Sequence, residues 1–349
     1  MTFDANAFSA DRILDAEKQN DPESIFSYDD HVLEARRLLS RWHTDRNKDP
    51  KADDVATAII KLRESAIVKH KDGTWKGRMS ITLEREGKQY EFKHVKSYDI
   101  DVGKMFLGRK VQLFLVTEEN QDLYENAVNM IESIRYPTQA FETEFRRFLP
   151  SIKWKGKTDK GFALVLNKDS EDVVLQDIVD QYLIPGEHVA WMVNRLYNVI
   201  TFLDHIGIMH GGIDTMSMLV NPVKHGAILS GGWWYSKKFN DKLVALPSNA
   251  LNILPKRLIT EKRACSEIDQ LLIKAYGIQC MGDASGVGSS LVGKVPARLL
   301  NFLRDTKTDS SLKNYKKWES LLVEQFGPRK FVEFNGVTFD ALYEQRNGK

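Results

Sequence analysis

The sequence predicts an α+β fold, with a helical segment first, a small antiparallel sheet next and a larger helical body last. Residues 1–75 are strongly charged and helical in pattern. Between Arg78 and Val116, alternation and β-branched or aromatic residues indicate half-buried strands. From Gly186 to His205, apolar side chains recur with the 3.6-residue period of a buried helix face. Strands in one region and helices in another are typical of α+β proteins.

The order of these segments predicts three units, at residues 1–75, 78–166 and 167–349. The first boundary is the polar segment Lys69–Thr74, which contains an Asp-Gly turn pair. One helix is expected near Asp122–Ile134, in the middle of the second unit. The strands of that unit are expected at Ile81–Arg85, Gln89–Lys93, Val111–Val116, Ile152–Lys155 and Gly161–Leu166.

Composition indicates a soluble protein of a reducing compartment. The 349 residues include 50 basic and 48 acidic side chains, and a net charge of +2 gives no general reason to expect nucleic-acid binding. The two cysteines, Cys265 and Cys280, are too few for a disulfide framework or a four-cysteine metal site. The first residues lack a secretory pattern, and no apolar stretch approaches the roughly 20 residues that span a bilayer. We therefore expect a cytoplasmic protein with no membrane partner.

Two amphipathic helices are expected in the first unit. The spacing of Ser27 and Asp30 is that of a capping box at the start of the first helix. A polar loop, His43–Pro50, separates it from a second helix that begins near Ala52, so the two helices should pack as an antiparallel hairpin. The apolar positions are Val32, Ala35, Leu38, Leu39 and Trp42 on the first helix, and Val55, Ile59, Leu62 and Ala66 on the second.

This hairpin resembles the J domain of DnaJ-type co-chaperones. In that family a basic helix ends in His-Pro-Asp, and the basic face and this loop engage a DnaK-type chaperone. The resemblance implies that His43 and Asp45 form the signalling pair and that Arg36, Arg37 and Arg41 are docking charges. Thr44 stands where the family has proline and does not fix φ as proline would. The alternative is a helical hairpin whose basic face is simply solvated.

The rest of the chain resembles a bilobal protein kinase. The expected order of five strands, with one helix after the third strand and further helices behind, is that of the kinase fold. Gly207–Val220 resembles the catalytic loop, and His225–Tyr235 resembles the strands that lead into Asp-Phe-Gly. The tryptophans that follow, together with the closing segment Phe326–Phe334, resemble degenerate kinase-like families of bacteria and phages.

The positions that carry kinase chemistry hold residues that cannot perform it. Phosphoryl transfer needs a strand lysine, a helix glutamate, a loop aspartate, a loop asparagine and a metal-binding aspartate. The resemblance places Leu115, or a neighbour, at the lysine and Ala127 at the glutamate; Glu125 lies about 200° away around the helix. The remaining positions are His210 as a structural histidine, Gly212 for the loop aspartate, Ser217 for the asparagine, and Gly231 or Gly232 for the metal aspartate.

No catalytic residue, metal ligand or cofactor is therefore expected. Asp214 is the one candidate for a relocated base, although it occupies the usual lysine position of the loop. Gly288–Lys294 has the spacing of a phosphate-binding P-loop, but a helical run precedes it and Val295-Pro296 follows, so a surface loop is predicted. Trp233 and Trp234 are expected to pack where a nucleotide and metal would sit, with an aromatic partner groove as the alternative.

Three functions are compatible with this pattern. The first is a non-catalytic adaptor, a pseudokinase with a DnaJ-like module that binds a protein such as a DnaK-type chaperone, in the cytoplasm of a bacterium or a phage-infected host. The second is an unorthodox nucleotide-dependent transferase on a kinase fold. The third is a structural or assembly docking protein of a phage or bacterium.

Overall fold

The computed structural model describes residues 3–28, 30–45, 47–72, 74–75, 77–83, 87–328, 330 and 332–343. It has the predicted α+β composition, with helices and several antiparallel sheets. Parts of several predicted segments lie outside the described residues. These are Gly73 of the first boundary, Glu84 and Arg85 of the first strand, and Arg329 and Phe331 of the closing segment.

Three helices form the first part of the chain: α1 (Ala10–Lys18), α2 (His31–Trp42) and α3 (Ala52–Lys71). The hairpin of α2 and α3 was predicted, whereas α1, which packs against α3, was not predicted as a separate helix. The predicted core positions Val55, Ile59, Leu62 and Ala66 are buried.

The predicted apolar face of α2 is partly wrong. Val32 is 36% exposed and Leu39 is half-buried, because the buried face is turned toward His31 and Glu34. The helix begins after Asp30, and Ser27 Oγ accepts a hydrogen bond from the backbone N–H of Asp30 at 3.3 Å. Asp30 is the N-cap and its side chain makes no capping hydrogen bond, so the predicted capping box is only partly formed; the carboxylate of Glu34 instead accepts the backbone N–H of Ser27 at 2.6 Å.

A short hairpin connects the helices to the main sheet. Strands β1 (Gly77–Thr82) and β2 (Gln89–His94) pair with each other in a separate two-stranded sheet. The main sheet has five antiparallel strands in the order β3-β4-β5-β7-β6. Its strands are β3 (Lys96–Ile100), β4 (Gly103–Leu107), β5 (Val111–Val116), β6 (Ile152–Thr158) and β7 (Gly161–Asn167).

The two predicted strands before residue 95 were therefore assigned to the wrong sheet. The first two strands of the main sheet are β3 and β4, whose short, mixed polar sequences carry little periodic signal. The helix after the third strand of the main sheet is α4 (Gln121–Ser133), close to its predicted place. It is followed by α5 (Gln139–Phe145) before β6 begins.

The remainder is a mainly helical body. Its longest helix is α7 (Gly186–His205), with the predicted bounds and a fully buried apolar stripe. Its other helices are α6 (Leu175–Gln181), α8 (Ala250–Ile253), α9 (Lys256–Glu261), α10 (Ser266–Cys280), α11 (Ala297–Arg304), α12 (Ser311–Phe326) and α13 (Phe339–Tyr343). Its short strands are β8 (Val173–Val174), β9 (Ile208–Met209), β10 (Met218–Asn221), β11 (Gly226–Leu229) and β12 (Lys237–Lys238).

The sheet is buried on both faces, and each face belongs to a different hydrophobic core. Along β5, Phe114 and Val116 join the core shared with the helical body. Leu113, which precedes Phe114 in the strand, joins the core of α1–α3 on the opposite face. The N-terminal helices are thus packed directly onto the sheet. In the part of the chain that the structure describes, no helix is both long and apolar enough to cross a bilayer.

Candidate functional site

The candidate site is the loop after α7 and the segment that faces it after β11. A buried carboxylate of α10 fixes the start of this loop. Asp269, fully buried, accepts the backbone N–H groups of His210 and Gly211, each at 2.7 Å. Burial raises the pKa of Asp269 to about 7, although both hydrogen bonds act in the opposite direction.

His210 holds the two segments together as a neutral side chain. Its Nε2–H donates to the carbonyl oxygen of Gly231 at 3.0 Å, because Nδ1 accepts the backbone N–H of Gly212 at 3.2 Å. Burial lowers the pKa of His210 to about 3, so the ring is uncharged near neutral pH. The predicted structural histidine is therefore found at the centre of a hydrogen-bonded loop junction.

Gly212 and Gly232 bring the two backbones into close contact. A Cβ atom on Gly212 would lie 2.5 Å from the carbonyl oxygen of Gly232, and a Cβ on Gly232 would lie 2.3 Å from that of Gly212. Gly232 also has a φ of +80°, which disfavours any residue with a side chain. No side chain fits at either position without moving backbone. This contact excludes carboxylates where the resemblance to kinases requires them.

Ser217 and Asp214 form a turn on the other side of the loop, through hydrogen bonds to each other. The backbone N–H of Ser217 donates to Asp214 Oδ1 at 2.7 Å, and Ser217 Oγ–H donates to the backbone carbonyl of Asp214 at 2.8 Å. Burial raises the pKa of Asp214 to about 6, with a smaller contribution from Asp101. The carboxylate is thus a turn-forming group, and Ser217 is buried.

A cavity of about 170 Å³ remains between the sheet and this loop. Its volume is below the roughly 300–1,000 Å³ of typical ligand pockets. Among the described residues, its lining contains no lysine, arginine or histidine; it includes Asp101, Met105, Phe114, Gly212, Asp214, Ser217, Gly231, Trp234 and Tyr235. Asp101 accepts the Tyr235 hydroxyl at 2.8 Å. The cavity therefore offers no cation to the phosphates of a nucleotide.

The alternation of β5 separates Leu115, the predicted lysine position, from its neighbour Phe114. Leu115 packs with the core of α1–α3, on the face turned away from the cavity. Phe114 lines the cavity instead, with its ring 5.3 Å from that of Trp234. Trp233 and Trp234 are 1% and 6% exposed, which confirms that they pack as core.

The predicted glutamate position also lies on the buried side of its helix. Ala127 of α4 is fully buried, while Glu125 is exposed and accepts a hydrogen bond from Gln121 at 2.7 Å. Between them, Asn126 Nδ2 donates to the carbonyl oxygens of Trp234 and Ser236, at 3.0 and 2.9 Å. The side-chain amide of Asn126 thus links α4 to the segment that follows β11.

The predicted docking residues of the hairpin lie on a separate surface. His43 and Asp45 are exposed directly after α2, with His43 Nδ1 3.4 Å from Asp45 Oδ2. Arg36 and Arg37 are exposed on α2. Arg41 differs from them, because its guanidinium donates to the backbone carbonyl of Ala5 at 2.5 Å and is half-buried. Arg36 and Arg37 are therefore exposed, whereas Arg41 is bound to the N-terminal segment.

The glycine-rich segment with the spacing of a P-loop forms a loop, as the sequence predicts. Gly288–Lys294 contains a 3-10 turn at Ser289–Leu291 between α10 and α11, with no preceding strand. A P-loop is thereby excluded. No group of three potential metal ligands occurs among the residues that the structure describes.

Sequence reasoning missed Asp269 and Asn126. Asp269 left only a weak signal, since it precedes the apolar run Leu271–Ile273 by two positions but α10 also contains the charged residues Glu267 and Lys274. Asn126 left none, because an asparagine on an amphipathic helix is ordinarily solvated. No protein-family model and no curated protein matches this chain.

Proposed function

We propose that this protein is a non-catalytic adaptor: a pseudokinase-like body that carries a J-like hairpin and binds a protein partner. The contact between Gly212 and Gly232 carries the proposal. It fills the space where a catalytic carboxylate would project, and the neighbouring cavity is lined by aspartates without a basic residue among those described. Such a site repels the anionic phosphates that a phosphotransferase must hold.

The architecture supports the proposed resemblance to a kinase body. The main sheet has one helix after its third strand, and a helical body with a long buried helix follows. A fold that keeps this packing while its chemical positions are glycine, serine, alanine and phenylalanine is suited to docking rather than turnover. Asp214, the base of the transferase alternative, is already engaged by Ser217, so that alternative is the weaker one.

The exposed hairpin supports the choice of partner. Arg36 and Arg37 form a positive surface beside the exposed pair His43 and Asp45. Exposed charges of this kind steer and orient a partner with a negative surface, as the resemblance to J domains implies for a DnaK-type chaperone. The adaptor would act in the cytoplasm of a bacterium or a phage-infected host. The docking-protein alternative uses the same body without the chaperone.

The experiment is capture of a purified DnaK-type chaperone by the full chain. We expect the double variant Arg36→Glu/Arg37→Glu to lose most of the captured chaperone, with the loss greatest at low salt because surface charges are screened. The control is Arg146→Glu/Arg147→Glu, another exposed pair of adjacent arginines, which lies directly after α5 and outside the hairpin. Equal capture by wild type and both variants would reject the arginine surface. Each variant must keep the melting temperature of the wild type, so that a loss of capture cannot result from unfolding.

A further inference from the structure

The segment that follows α12 returns across the molecule to the sheet. Five of its apolar side chains are buried: Phe334, Val337, Phe339, Leu342 and Tyr343. Among its described residues, the segment contains only the five-residue helix α13 and no strand. Its attachment thus depends on side chains that fit into the rest of the protein rather than on a backbone ladder.

One end of this segment is attached to the helical body. The ring of Phe334 stacks on His188 of α7, with centroids 4.0 Å apart and planes 13° apart. The hydroxyl of Tyr182, between α6 and α7, donates to the carbonyl oxygen of Gly336 at 3.4 Å. These contacts place residues 334–336 on the outer surface of α6 and α7.

The other end is attached to the sheet. Phe339 is fully buried beneath two cations, with the Arg109 guanidinium 4.6 Å and the Lys168 ammonium 4.8 Å from its ring centroid. Arg109, in the turn between β4 and β5, also forms an ion pair with Asp340. Aromatic rings below cations at such distances attract them, and more strongly when the cation is desolvated, as Lys168 is.

The final contacts are made with the segment by which the chain crosses from sheet to body. Tyr343 OH donates to Asp177 of α6 at 2.5 Å and accepts the backbone N–H of Val174 at 3.2 Å. Asp177 is buried and also receives Lys96 and Tyr98 of β3. Its carboxylate therefore joins the sheet, the body and the C-terminal segment at one point.

We propose that residues 334–343 form a strap that holds the sheet and the helical body in one relative orientation, and that the crossing segment 168–177 opens locally when the strap is released. The crossing segment is the only direct chain connection between β7 and α6, so restraint there limits hinge motion between the two parts. Proteins open locally with free energies below that of global unfolding, and a segment without a backbone ladder of its own can detach in this way once its side-chain contacts are removed.

Release of the strap would also alter a cavity beside Asp177. This cavity, of about 260 Å³, is lined by Lys96, Tyr98 and Asp177, together with Tyr28 and His70 of the N-terminal helices. When the Tyr343 hydrogen bond is lost, Asp177 keeps the hydrogen bonds from Lys96 and Tyr98. The strap thereby couples the C-terminal segment to the junction of all three parts of the molecule.

The test is amide hydrogen exchange of the full chain, with Tyr343→Phe and Phe339→Ala as strap variants. Tyr343→Phe keeps the ring and removes only the hydroxyl, so it decides the question even where Phe339→Ala fails to fold. We expect exchange in residues 173–177 to accelerate by roughly tenfold or more, the effect of losing a hydrogen bond to a charged group. Exchange in α3 and α10 should stay unchanged.

The matched control is Phe302→Ala, which removes another ring beneath a lysine, Lys274, at 5.1 Å within the helical body. It should accelerate exchange around α10 and α11 and leave residues 173–177 unchanged. Two results would overturn the proposal. One is unchanged exchange in residues 173–177 of Tyr343→Phe. The other is an equal acceleration in all segments, which would make the segment an ordinary part of one cooperative core.

Discussion

At the scale of residues, two glycines determine what the central loop can hold. Gly212 and Gly232 face each other so closely that each carbonyl oxygen occupies the place of the other residue's Cβ. The neighbours are backbone atoms, which are held by Asp269 and His210 and cannot swing aside as a flexible side chain would. The positions of the backbone atoms therefore leave no space for a carboxylate side chain at Gly212 or Gly232.

Gly212→Ala tests this packing. We expect the free energy of unfolding to fall by about 1–3 kcal/mol, the usual cost of inserting a methyl group into filled space. The control is Gly186→Ala, whose added Cβ would lie 3.5 Å from Phe326, an ordinary contact. Urea unfolding of the two variants gives the comparison. Equal stability of Gly212→Ala and Gly186→Ala would show that the loop yields and that a side chain can be accommodated.

The sequence predicted the loop better than the strand opposite it. His210, Gly212 and Ser217 could be assigned because a catalytic-loop pattern fixes spacing over a short run. The lysine position could be assigned only to Leu115 or a neighbour, and in the structure Leu115 lies on the face of the sheet that is turned away from the cavity. In a strand a shift of one residue reverses the face, and an all-apolar run such as Leu113–Val116 has no alternation from which the register can be read.

At the scale of elements, α4 is fastened to the segment Trp233–Tyr235 that fills the cleft. Asn126 supplies two donors to carbonyl oxygens at 3.0 and 2.9 Å, and the ring of Trp234 meets Phe114 of β5. Helix, tryptophan segment and sheet thus form one packed layer. In the proposed adaptor this arrangement replaces the movable ion pair that the resemblance to kinases would place between strand and helix.

Asn126→Ala should loosen that layer. Two partly buried carbonyl groups lose their donor, and we expect the free energy of unfolding to fall by about 1–3 kcal/mol. Glu125→Ala is the adjacent control, because Glu125 is exposed and accepts a hydrogen bond from the neighbouring Gln121; its effect should stay within about 0.5 kcal/mol. Thermal unfolding of both variants is the measurement. Similar losses for the two variants would contradict the role given to Asn126.

Element prediction succeeded where periodicity was strong. The bounds of α7 follow from apolar side chains that recur along its 20 residues. The predicted bounds of α4 differ from the observed ones by one residue at either end. Strands β3 and β4 were missed because each has five residues and their order in the sheet depends on pairing that no local pattern encodes. The strap could not be foreseen, since its contacts join residues more than 100 positions apart.

At the scale of the whole molecule, the N-terminal helices and the sheet share a core. Phe106 of β4 is 1% exposed; its ring lies 6.0 Å from Tyr28 of the helical part and 5.1 Å from His94 of β2. Trp75, also 1% exposed, lies 5.5 Å from His31 of α2. The hairpin of α2 and α3 thus packs on the sheet through a shared core, so the proposed adaptor would present a partner at one angle.

His94 makes this shared core sensitive to acid. Burial lowers its pKa from 6.5 to about 4, against a smaller opposite effect of the Phe92 backbone. Because the folded pKa lies below the unfolded one, the unfolded state takes up the proton first as the pH falls. Stability is complete above pH 6.5 and is lost between pH 6.5 and 4, by up to about 3 kcal/mol.

His94→Phe should remove this part of the pH dependence. We expect the difference in unfolding free energy between wild type and variant to shift in favour of the variant as the pH falls from 6.5 to 4. Urea unfolding at several pH values measures it, and His210 and other groups cancel in the difference. A difference that stays constant across the window would show that His94 is not buried as a neutral ring.

The most direct test of the central claim is titration of the full chain with ATP, with and without Mg²⁺, while the melting temperature is followed. A bound ligand at 100 times its Kd stabilises a protein by about 2.7 kcal/mol, which moves the melting temperature by several degrees. We predict no shift, because the cavity is small, acidic and closed by the Gly212–Gly232 contact. A saturable, Mg²⁺-dependent rise in melting temperature would contradict the account and favour the transferase.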